Sequence, residues 1–525
     1  MLQFRIIPEL LYPRAVAMGI LFFACCAAFG LLWHQNRHSR LFRRRFSICA
    51  AALGAGLLAV MVFCPAPDHD EVEHASATWQ VSQGLVPYED FFQHHSPMLW
   101  ILAAPLFRIR MVSEHPVECF RMVAALLSLC VLLILCLMAR RIWQEKAAGW
   151  AVFILFAGYF LRFELYNFRP VVAANICILS AFWMLMEGRK ILMNLFAGFL
   201  LGFALSLSPR YAPFLLLMPL WALASGREWK QTVRMAPFHG IGLLSGILPL
   251  CLWLAHHSLF GPFHRFVLAF NAGRMMEETA VFGGTFDVLA TVFACWGCSR
   301  LLCGESDSSR YQGRLLSVML ALSALVYLTM SKTNYDYYQQ MYILSAILAG
   351  SGLLYSVLKE WAGKWFSIPA FLLAGFILWP GIHSAQRAVR RGDFVSGMRI
   401  ISTLRRAAGA DEVVCITPDH PITSRNATYI STGWQYRFCL SHPCFRERGR
   451  AIARDIMATT PSIVFERPLS WQGFEGISRQ LRKEGLISEA GSDSLQHYLE
   501  DHYRLVQLYP REYWIRNDRY DRCFR

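Results

Sequence analysis

Long runs of apolar residues, separated by short polar turns, recur from the amino terminus to about residue 380. A helix needs roughly 17 to 25 apolar residues to cross a bilayer, and about twelve runs approach or reach this length. The pattern predicts a mainly α polytopic membrane protein of about twelve transmembrane helices. We expect them near residues 14–33, 46–64, 119–139, 147–163, 168–186, 191–207, 211–225, 236–256, 284–303, 315–331, 338–358 and 365–381.

Basic residues in the turns predict the side of the membrane that each turn occupies. The turn after the first run contains five arginines between Arg37 and Arg45, and every second turn after it is also basic. Because cytoplasmic loops carry an excess of Lys and Arg, these turns are expected in the cytoplasm. The loop over residues 65–118 and everything after about residue 383 then lie on the outer, periplasmic face of a bacterial cytoplasmic (inner) membrane.

The composition changes near residue 385, where long apolar runs give way to a mixed, soluble pattern. The chain is therefore predicted to have a transmembrane domain over residues 1–384 and a small periplasmic α/β domain over residues 385–525. In the second domain, short apolar runs are typical of strands at 413–417 and 463–465, and amphipathic spacing predicts helices at 397–408 and 474–485.

Composition and charge narrow the class of protein further. Of 525 residues, 55% are hydrophobic and 17% charged, which is too apolar for a soluble enzyme of this size. The net charge of +15 comes from Lys and Arg concentrated in turns and in the tail, so no nucleic-acid partner is expected. Disulfide pairing in the outer domain is open among three arrangements of Cys415, Cys439, Cys444 and Cys523, and the Cys439–Cys444 pair closes the shortest loop.

The loop over residues 65–118 has a predicted structure of its own. Two prolines end the preceding helix, and a second helix is expected over residues 69–83. Asp68 and Glu71 match a capping box, with Asp in place of Ser or Thr. Aromatic residues that include Trp100 suit two or three interfacial helices in the headgroup plane.

The same loop is crowded with ionisable residues, which are expensive to place beside a membrane and therefore predict a functional site. A helix cap alone explains Asp68 and Glu71, whereas the cap does not require Asp70, which is the candidate general base. Asp70 and His74 are four residues apart on one helical face and Glu71 and His74 are three apart, with His94 and His95 nearby in sequence, and this composition also allows a divalent metal. These ionisable residues include Asp68, Asp70, Glu71, Glu73, His74, Glu89, Asp90, His94 and His95.

Several short motifs follow one another along the chain: Asp70-Glu71, Gly84-Leu-Val-Pro-Tyr88, Asp90-Phe-Phe92, His94-His-Ser-Pro97, Glu118-Cys-Phe-Arg121, Phe168-Arg-Pro170, Ser208-Pro-Arg210 and Ser331-Lys332 with Tyr335 and Tyr338. With them the sequence resembles integral-membrane glycosyltransferases of the GT-C superfamily, in particular the bacterial protein O-mannosyltransferase-like and lipid A aminoarabinose transferase-like group. His95-Ser-Pro97 departs from that group, which often has Lys-Pro-Pro at this place.

The resemblance implies an inverting glycosyltransferase that moves a sugar from a polyprenyl-phosphate-linked donor to a glycan, lipid or protein acceptor. Because phosphate is a good leaving group, such a site needs cations more than a general acid. No cofactor is required, and a divalent cation stays open. Asp70 and Glu71 are the expected catalytic residues. The expected ligands of the donor phosphate are Arg210, Lys332, His95, Arg121 and Arg169. The other expected substrate contacts are Glu73, His74, Tyr88, Asp90, His94 and Tyr338.

The same residues allow other interpretations. Arginines and lysines at the outer ends of membrane helices also extend to lipid headgroups. A transporter or flippase of lipid-linked glycans would show internal repeats with charges in the middle of its spans, whereas the charges here lie at span ends and in one loop. A catalytically inactive membrane scaffold is the third alternative, although intact Asp70, Arg210 and Lys332 favour an enzyme.

Overall fold

The computed structural model describes most of the middle of the chain and much of the carboxy-terminal domain. Lys332, Tyr338 and the side chains of the four tail cysteines lie outside the described residues, as do most residues of the predicted runs at 14–33, 46–64, 147–163 and 365–381. The structure describes residues 65–144, 165–187, 190–224, 229–272, 285–304, 306–330, 339–362, 393–408, 413–415, 424–426, 446–468, 475–508 and 511–524, with a few short stretches and single positions elsewhere.

Helices make up most of the described chain, and eight of the predicted apolar runs coincide with helices between α4 and α12. Short 3-10 or π segments occupy Ala104–Arg108, Pro209–Leu216 and His264–Ala269. The helices that the structure describes before the carboxy-terminal domain are α1 (His69–Ser82), α2 (Met98–Ala103), α3 (Arg110–Glu114), α4 (Pro116–Trp143), α5 (Pro170–Glu187), α6 (Ile191–Leu207), α7 (Leu217–Ala224), α8 (Trp229–His256), α9 (Phe260–Phe263), α10 (Thr285–Leu302), α11 (Asp307–Met330) and α12 (Gln340–Ala362).

Two of the described helices, α4 and α8, are long and apolar enough to cross a membrane. Each has 28 residues, which at a rise of about 1.5 Å per residue exceeds the roughly 30 Å of a bilayer's hydrocarbon core. Length and composition therefore allow these helices to span a membrane. The twelve-helix topology and its orientation stay predictions.

Helices α6 and α8 pack at very short range along paired glycines. Gly198 and Gly202 of α6 meet Gly242 and Gly246 of α8, and a Cβ atom at any of the four would overlap a backbone carbonyl oxygen of the opposite helix. Small residues four apart allow such close approach, which is common between membrane helices. The Ser206 hydroxyl donates across the same contact to the Gly246 carbonyl at 3.1 Å. This packing holds the end of α6, just before one of the predicted phosphate-binding arginines.

Helix α1 begins at the predicted residue and ends within one residue of the predicted end. Asp68 is its N-cap, and the Asp68 N–H donates to Glu71 Oε2 at 3.4 Å. Gly84, with φ of +84°, follows its end. Helix α1 lacks the exposed apolar face expected of an interfacial helix, because ten of its 14 residues are buried and Trp100 is fully buried beside it. Its ionisable side chains need partners, and the surrounding elements supply them.

The segment after α1 keeps the surface expected for a membrane interface. Leu102 of α2, Met111 of α3 and Ile109 just before α3 are each at least half exposed. Apolar side chains on short helices next to a membrane-length helix suit the boundary between headgroups and acyl chains. The interfacial position of α2 and α3 stays a prediction, which their exposed apolar side chains favour.

In the described part of the carboxy-terminal domain, five strands form a mixed sheet, as an α/β domain requires. Strands start at Val413 and Ile463, as predicted, and the predicted helices are α13 and α15. The strand order is β2-β1-β3-β5-β4, parallel among the first three and antiparallel after them. The elements are α13 (Asp393–Ala408), β1 (Val413–Cys415), β2 (Arg425–Asn426), α14 (Arg446–Thr459), β3 (Ile463–Pro468), α15 (Ile477–Lys483), α16 (Glu489–His502), β4 (Tyr503–Leu508), β5 (Arg511–Arg516) and α17 (Asn517–Phe524).

This domain touches the loop that contains α1 to α3. Arg405 on α13 donates to the carbonyl oxygens of Ser113 and Glu114, at 3.0 and 2.8 Å. Farther along the domain, the Tyr429 hydroxyl donates to the Tyr88 carbonyl at 2.6 Å. The predicted periplasmic loop and the predicted periplasmic domain thus lie against each other.

Candidate functional site

Four ionisable residues form a closed cluster at the amino end of α1. His69 lies between two carboxylates, with Nδ1 2.9 Å from Asp68 Oδ1 and Nε2 3.0 Å from Asp70 Oδ1. Arg169, just before α5, pairs with both carboxylates: one terminal nitrogen contacts Asp68, and the other lies 3.3 Å from Asp70 Oδ2. Two cations therefore balance two carboxylates. The sequence motifs predict Asp70 and Arg169 at the site, but neither their pairing nor the part played by His69.

Burial and ion pairing act in opposite directions on this cluster. Burial raises the pKa of Asp70, but Arg169 and His69 outweigh it and hold that pKa well below its usual range. Burial lowers the pKa of His69, but the carboxylates of Asp70 and Asp68 outweigh it and raise that pKa to about 10. At neutral pH Asp70 is ionised and His69 is protonated. Asp70 becomes a stronger base only if Arg169 or His69 withdraws.

Glu71 and Arg121 form a second, fully buried ion pair on another side of α1. The Arg121 Nε–H lies 2.8 and 2.9 Å from the two Glu71 carboxylate oxygens, and both side chains are completely inaccessible to solvent. The terminal nitrogens of Arg121 donate to the carbonyl oxygens of Val62, Pro65 and Ala66, at 2.8 to 2.9 Å. Arg121 thus fastens the chain that leads into α1. This geometry argues against the expected roles of Arg121 in binding phosphate and of Glu71 in catalysis, because neither can reach a substrate.

Three histidine rings gather beside the second turn of α1. His74 lies 4.8 Å from His95, and His95 lies 4.0 Å from His94, measured between ring centroids. Trp100 Nε1–H donates to His74 Nδ1 at 3.1 Å, so a neutral His74 carries its proton on Nε2. Burial lowers the pKa of His74 to about 4 and lowers the pKa of His95 far below its usual range. At neutral pH, His74 and His95 therefore act as neutral hydrogen-bonding groups and not as cations.

Glu73 lies on the same side as these rings. Its side chain is 2% exposed, and its Oε1 atom is 3.9 Å from His94 Nδ1. The expected substrate contacts Glu73, His74 and His94, and the expected phosphate ligand His95, are therefore together in space, as the sequence motifs predict.

The segment that carries His94 and His95 is held by its backbone. The Tyr88 hydroxyl donates to the His95 carbonyl at 2.6 Å, and the Asn271 side-chain amide donates to the His94 carbonyl at 2.8 Å. The Ser96 hydroxyl donates to a carbonyl at the end of α6. These bonds fix the backbone of the segment, while its two imidazole rings lie next to each other and the His95 ring lies beside His74. Asn271 has no motif around it in the sequence, so only the structure identifies it.

Two predicted substrate contacts instead stabilise this loop. Tyr88 has φ of +71° and is buried, with its hydroxyl and its carbonyl both engaged in the protein. The Asp90 carboxylate accepts the backbone N–H of Val86 at 2.6 Å and closes an exposed turn. The structure therefore gives Tyr88 and Asp90 a structural explanation that requires no substrate.

Arg210, which follows α6, lies near the histidine group. Its Nε–H donates to the Ser208 hydroxyl at 3.0 Å, and its charge is one of the causes that lower the pKa of His74 and His95. Arg169 also lowers the pKa of His74. Arg169, just before α5, and Arg210, just after α6, therefore both lower the pKa of the same histidine, His74.

The described residues thus bring together an ionised carboxylate, two guanidinium groups and neutral imidazoles. Such a set can bind an anion through the arginines and accept a proton at Asp70. Neither a family model nor a curated protein matches this chain, so the resemblance to the GT-C superfamily stays a prediction from its motifs.

Proposed function

We propose that the chain is an inverting, GT-C-type glycosyltransferase that uses a polyprenyl-phosphate sugar as donor. The observation that carries this proposal is the contact of the buried, ionised Asp70 with Arg169, while Arg210 acts on the neighbouring histidines. A transferase of this type needs a base and phosphate-binding cations within reach of one sugar.

In this proposal Arg169 and Arg210 hold the donor phosphate. Arginine suits this role because its planar fork can bind two phosphate oxygens at once. His95 is neutral, so it contributes a hydrogen bond and not a charge. Lys332 keeps the same proposed role, and Tyr338 keeps its proposed substrate contact.

Phosphate binding also activates the base. When Arg169 turns toward the donor phosphate, Asp70 loses the strongest influence that depresses its pKa, and burial then raises its basicity. The acceptor oxygen forms a bond to the anomeric carbon as the bond to the phosphate oxygen breaks. Asp70 takes the hydroxyl proton, and polyprenyl phosphate leaves with the electron pair. The acceptor attacks the face opposite the leaving group, so the configuration inverts.

The predicted topology belongs to the same proposal. With about twelve transmembrane helices in a bacterial inner membrane, both the loop over residues 65–118 and the carboxy-terminal domain lie on the periplasmic face. The hydrogen bonds of Arg405 and Tyr429 with that loop support this arrangement, because two contacting segments must share one side.

Binding of polyprenyl phosphate to the purified full chain tests the proposal. We expect Arg169→Ala and Arg210→Ala to weaken binding about 10- to 100-fold, the equivalent of losing about 1.5–3 kcal/mol for hydrogen bonds to a charged group. Arg110→Ala is the matched control, since this arginine is 90% exposed and should not affect binding.

Mass spectrometry of lipid that copurifies with the protein tests the class of donor. A glycosyl polyprenyl phosphate, consumed when acceptor is added, supports the transferase. Movement of intact lipid-linked glycan across vesicles without cleavage identifies a flippase. Equal binding by wild type and both arginine variants, with no turnover, points to a scaffold and overturns the proposal.

A further inference from the structure

Glu73, His94 and His95 offer three metal-ligating atoms that converge. One carboxylate oxygen and one nitrogen from each ring all lie within 4.8 Å of one another. Glu73 is almost completely buried, and His94 is 11% exposed at its side chain. The three residues come from the second turn of α1 and from the segment before α2, so two separate parts of the loop build the group.

The distances are those of a site that closes slightly around an ion. Ligand atoms about 2.1 Å from a tetrahedral zinc ion lie about 3.4 Å from each other. Glu73 Oε1 and His94 Nδ1 are 3.9 Å apart, too far for a hydrogen bond, and all three ligand atoms lie within 4.8 Å of one another, so movements of about 0.5 to 1.4 Å bring them to the distances of a zinc site. Small side-chain rotations supply such a shift without moving the backbone.

The surroundings hold the backbone of the two histidines in place. Hydrogen bonds from Tyr88 and Asn271 hold the backbone carbonyls of His95 and His94. The His94 ring also packs against Phe92 and an adjacent phenylalanine, at centroid distances of 6.1 and 6.0 Å. Outer contacts that orient the ligands and an apolar wall are both typical of metal sites.

A second group of potential ligands among the described residues is a poorer candidate for a metal site, because its carboxylates already have a cationic partner. Asp68, His69 and Asp70 also lie within 4.8 Å of one another. Their carboxylates already pair with Arg169, and the His69 ring lies between them. A cation there would have to displace a guanidinium, which is unfavourable because the pairs are already balanced.

We propose that Glu73, His94 and His95 bind one divalent transition-metal ion, with zinc as the best fit. Two imidazoles and one carboxylate form a ligand set that zinc uses in catalytic sites, where the fourth position holds water or a substrate oxygen. A phosphate oxygen is a suitable fourth ligand here. The site goes beyond the proposed function, since metal binding requires neither the sugar donor nor Asp70.

The test uses the full chain, purified without a histidine tag, stripped with a chelator and titrated with zinc or cobalt. We expect one equivalent to bind, cobalt to give the visible absorption bands of a tetrahedral ion, and zinc to raise the unfolding temperature. Glu73→Gln and His95→Gln should lose these bands and weaken binding at least tenfold. Exposed residues of the same loop supply the matched controls, Glu89→Gln and His115→Gln, which should bind like wild type.

Two results overturn the inference. One is a wild-type chain that binds no zinc and whose unfolding temperature does not change on titration, a readout that remains valid even if the variants fold poorly. The other is a folded Glu73→Gln variant that binds cobalt with wild-type affinity and spectrum. Polyprenyl phosphate binding, measured separately in chelator, distinguishes failure of this inference from failure of the proposed function.

Discussion

Removing the buried arginine tests whether Arg121 is a structural anchor or a phosphate ligand. Arg121→Met keeps most of the side-chain volume but removes the charge and all its donors. Glu71 then loses the N–H that both its carboxylate oxygens share, and the carbonyl oxygens of Val62, Pro65 and Ala66 lose their donors. We expect the variant to unfold at lower temperature and denaturant concentration than wild type.

The magnitude follows from these contacts. Breaking a fully buried ion pair costs about 3–5 kcal/mol. Burial already raises the pKa of Glu71 to about 7, so the unpaired carboxyl can take up a proton, which keeps the cost of the lost charge at the lower end. The three carbonyls add about 1–3 kcal/mol each where water cannot replace the donor. A loss of at least 3 kcal/mol is therefore expected.

A double-mutant cycle with a surface control makes this measurable. Glu71→Leu combined with Arg121→Met should cost clearly less than the sum of the single changes, because neither residue is left as a lone buried charge. Arg110→Met breaks an exposed ion pair, in which Arg110 Nε lies 2.7 Å from Glu114 Oε1, and should lower the free energy of unfolding by less than about 1 kcal/mol. If Arg121→Met is as stable as wild type but binds polyprenyl phosphate weakly, Arg121 is a phosphate ligand and the anchor reasoning is wrong.

Three further outcomes follow from the structure. Asp70→Asn should reduce turnover by roughly two to four orders of magnitude. Polyprenyl phosphate binding should be kept or tightened, because Arg169 loses a competing carboxylate. Normal turnover would reject Asp70 as the base. The unfolding temperature of wild type should fall as pH rises from about 6.5 through about 10, because the raised pKa of His69 stabilises the fold only while the ring is protonated, and His69→Gln should remove this dependence. Gly202→Ala should destabilise the chain, because its Cβ would overlap the α8 backbone. Gly240→Ala, which has open space around it, should be neutral or stabilising. Equal changes in the unfolding temperature of the two variants would refute close helix packing.

Local pattern predicted the elements well because it reflects local physics. Apolar runs coincide with helices α4 to α8 and α10 to α12, and prolines with Asp68 set the start of α1. The strands at Val413 and Ile463 also follow from short apolar runs bounded by turns. In each case the decisive interactions connect residues close in sequence, so composition and spacing contain the information.

The site could be predicted only in part, because the role of each residue depends on partners that are far away in the sequence. The motifs brought out Asp70, Arg169 and Arg210, but a buried anchor such as Arg121 and an arginine facing a ligand look alike in sequence. Arg121 is distinguished only by backbone carbonyls more than fifty positions away. For the same reason the motifs could not show that α1 is buried or that Asn271 supports the histidine segment.

The pairing of Asp70 with Arg169 links the two halves of the proposed chemistry. A buried carboxylate and a buried guanidinium are each costly alone, so each keeps the other ionised until a stronger partner arrives. A phosphate that draws Arg169 away would raise the basicity of Asp70 only when the donor is bound. Since water would otherwise compete as acceptor, a base that is weak without donor limits wasteful hydrolysis. The ion pair with Arg169 keeps Asp70 a weak base while no donor is bound. The same ion pair would therefore couple the activation of Asp70 to donor binding.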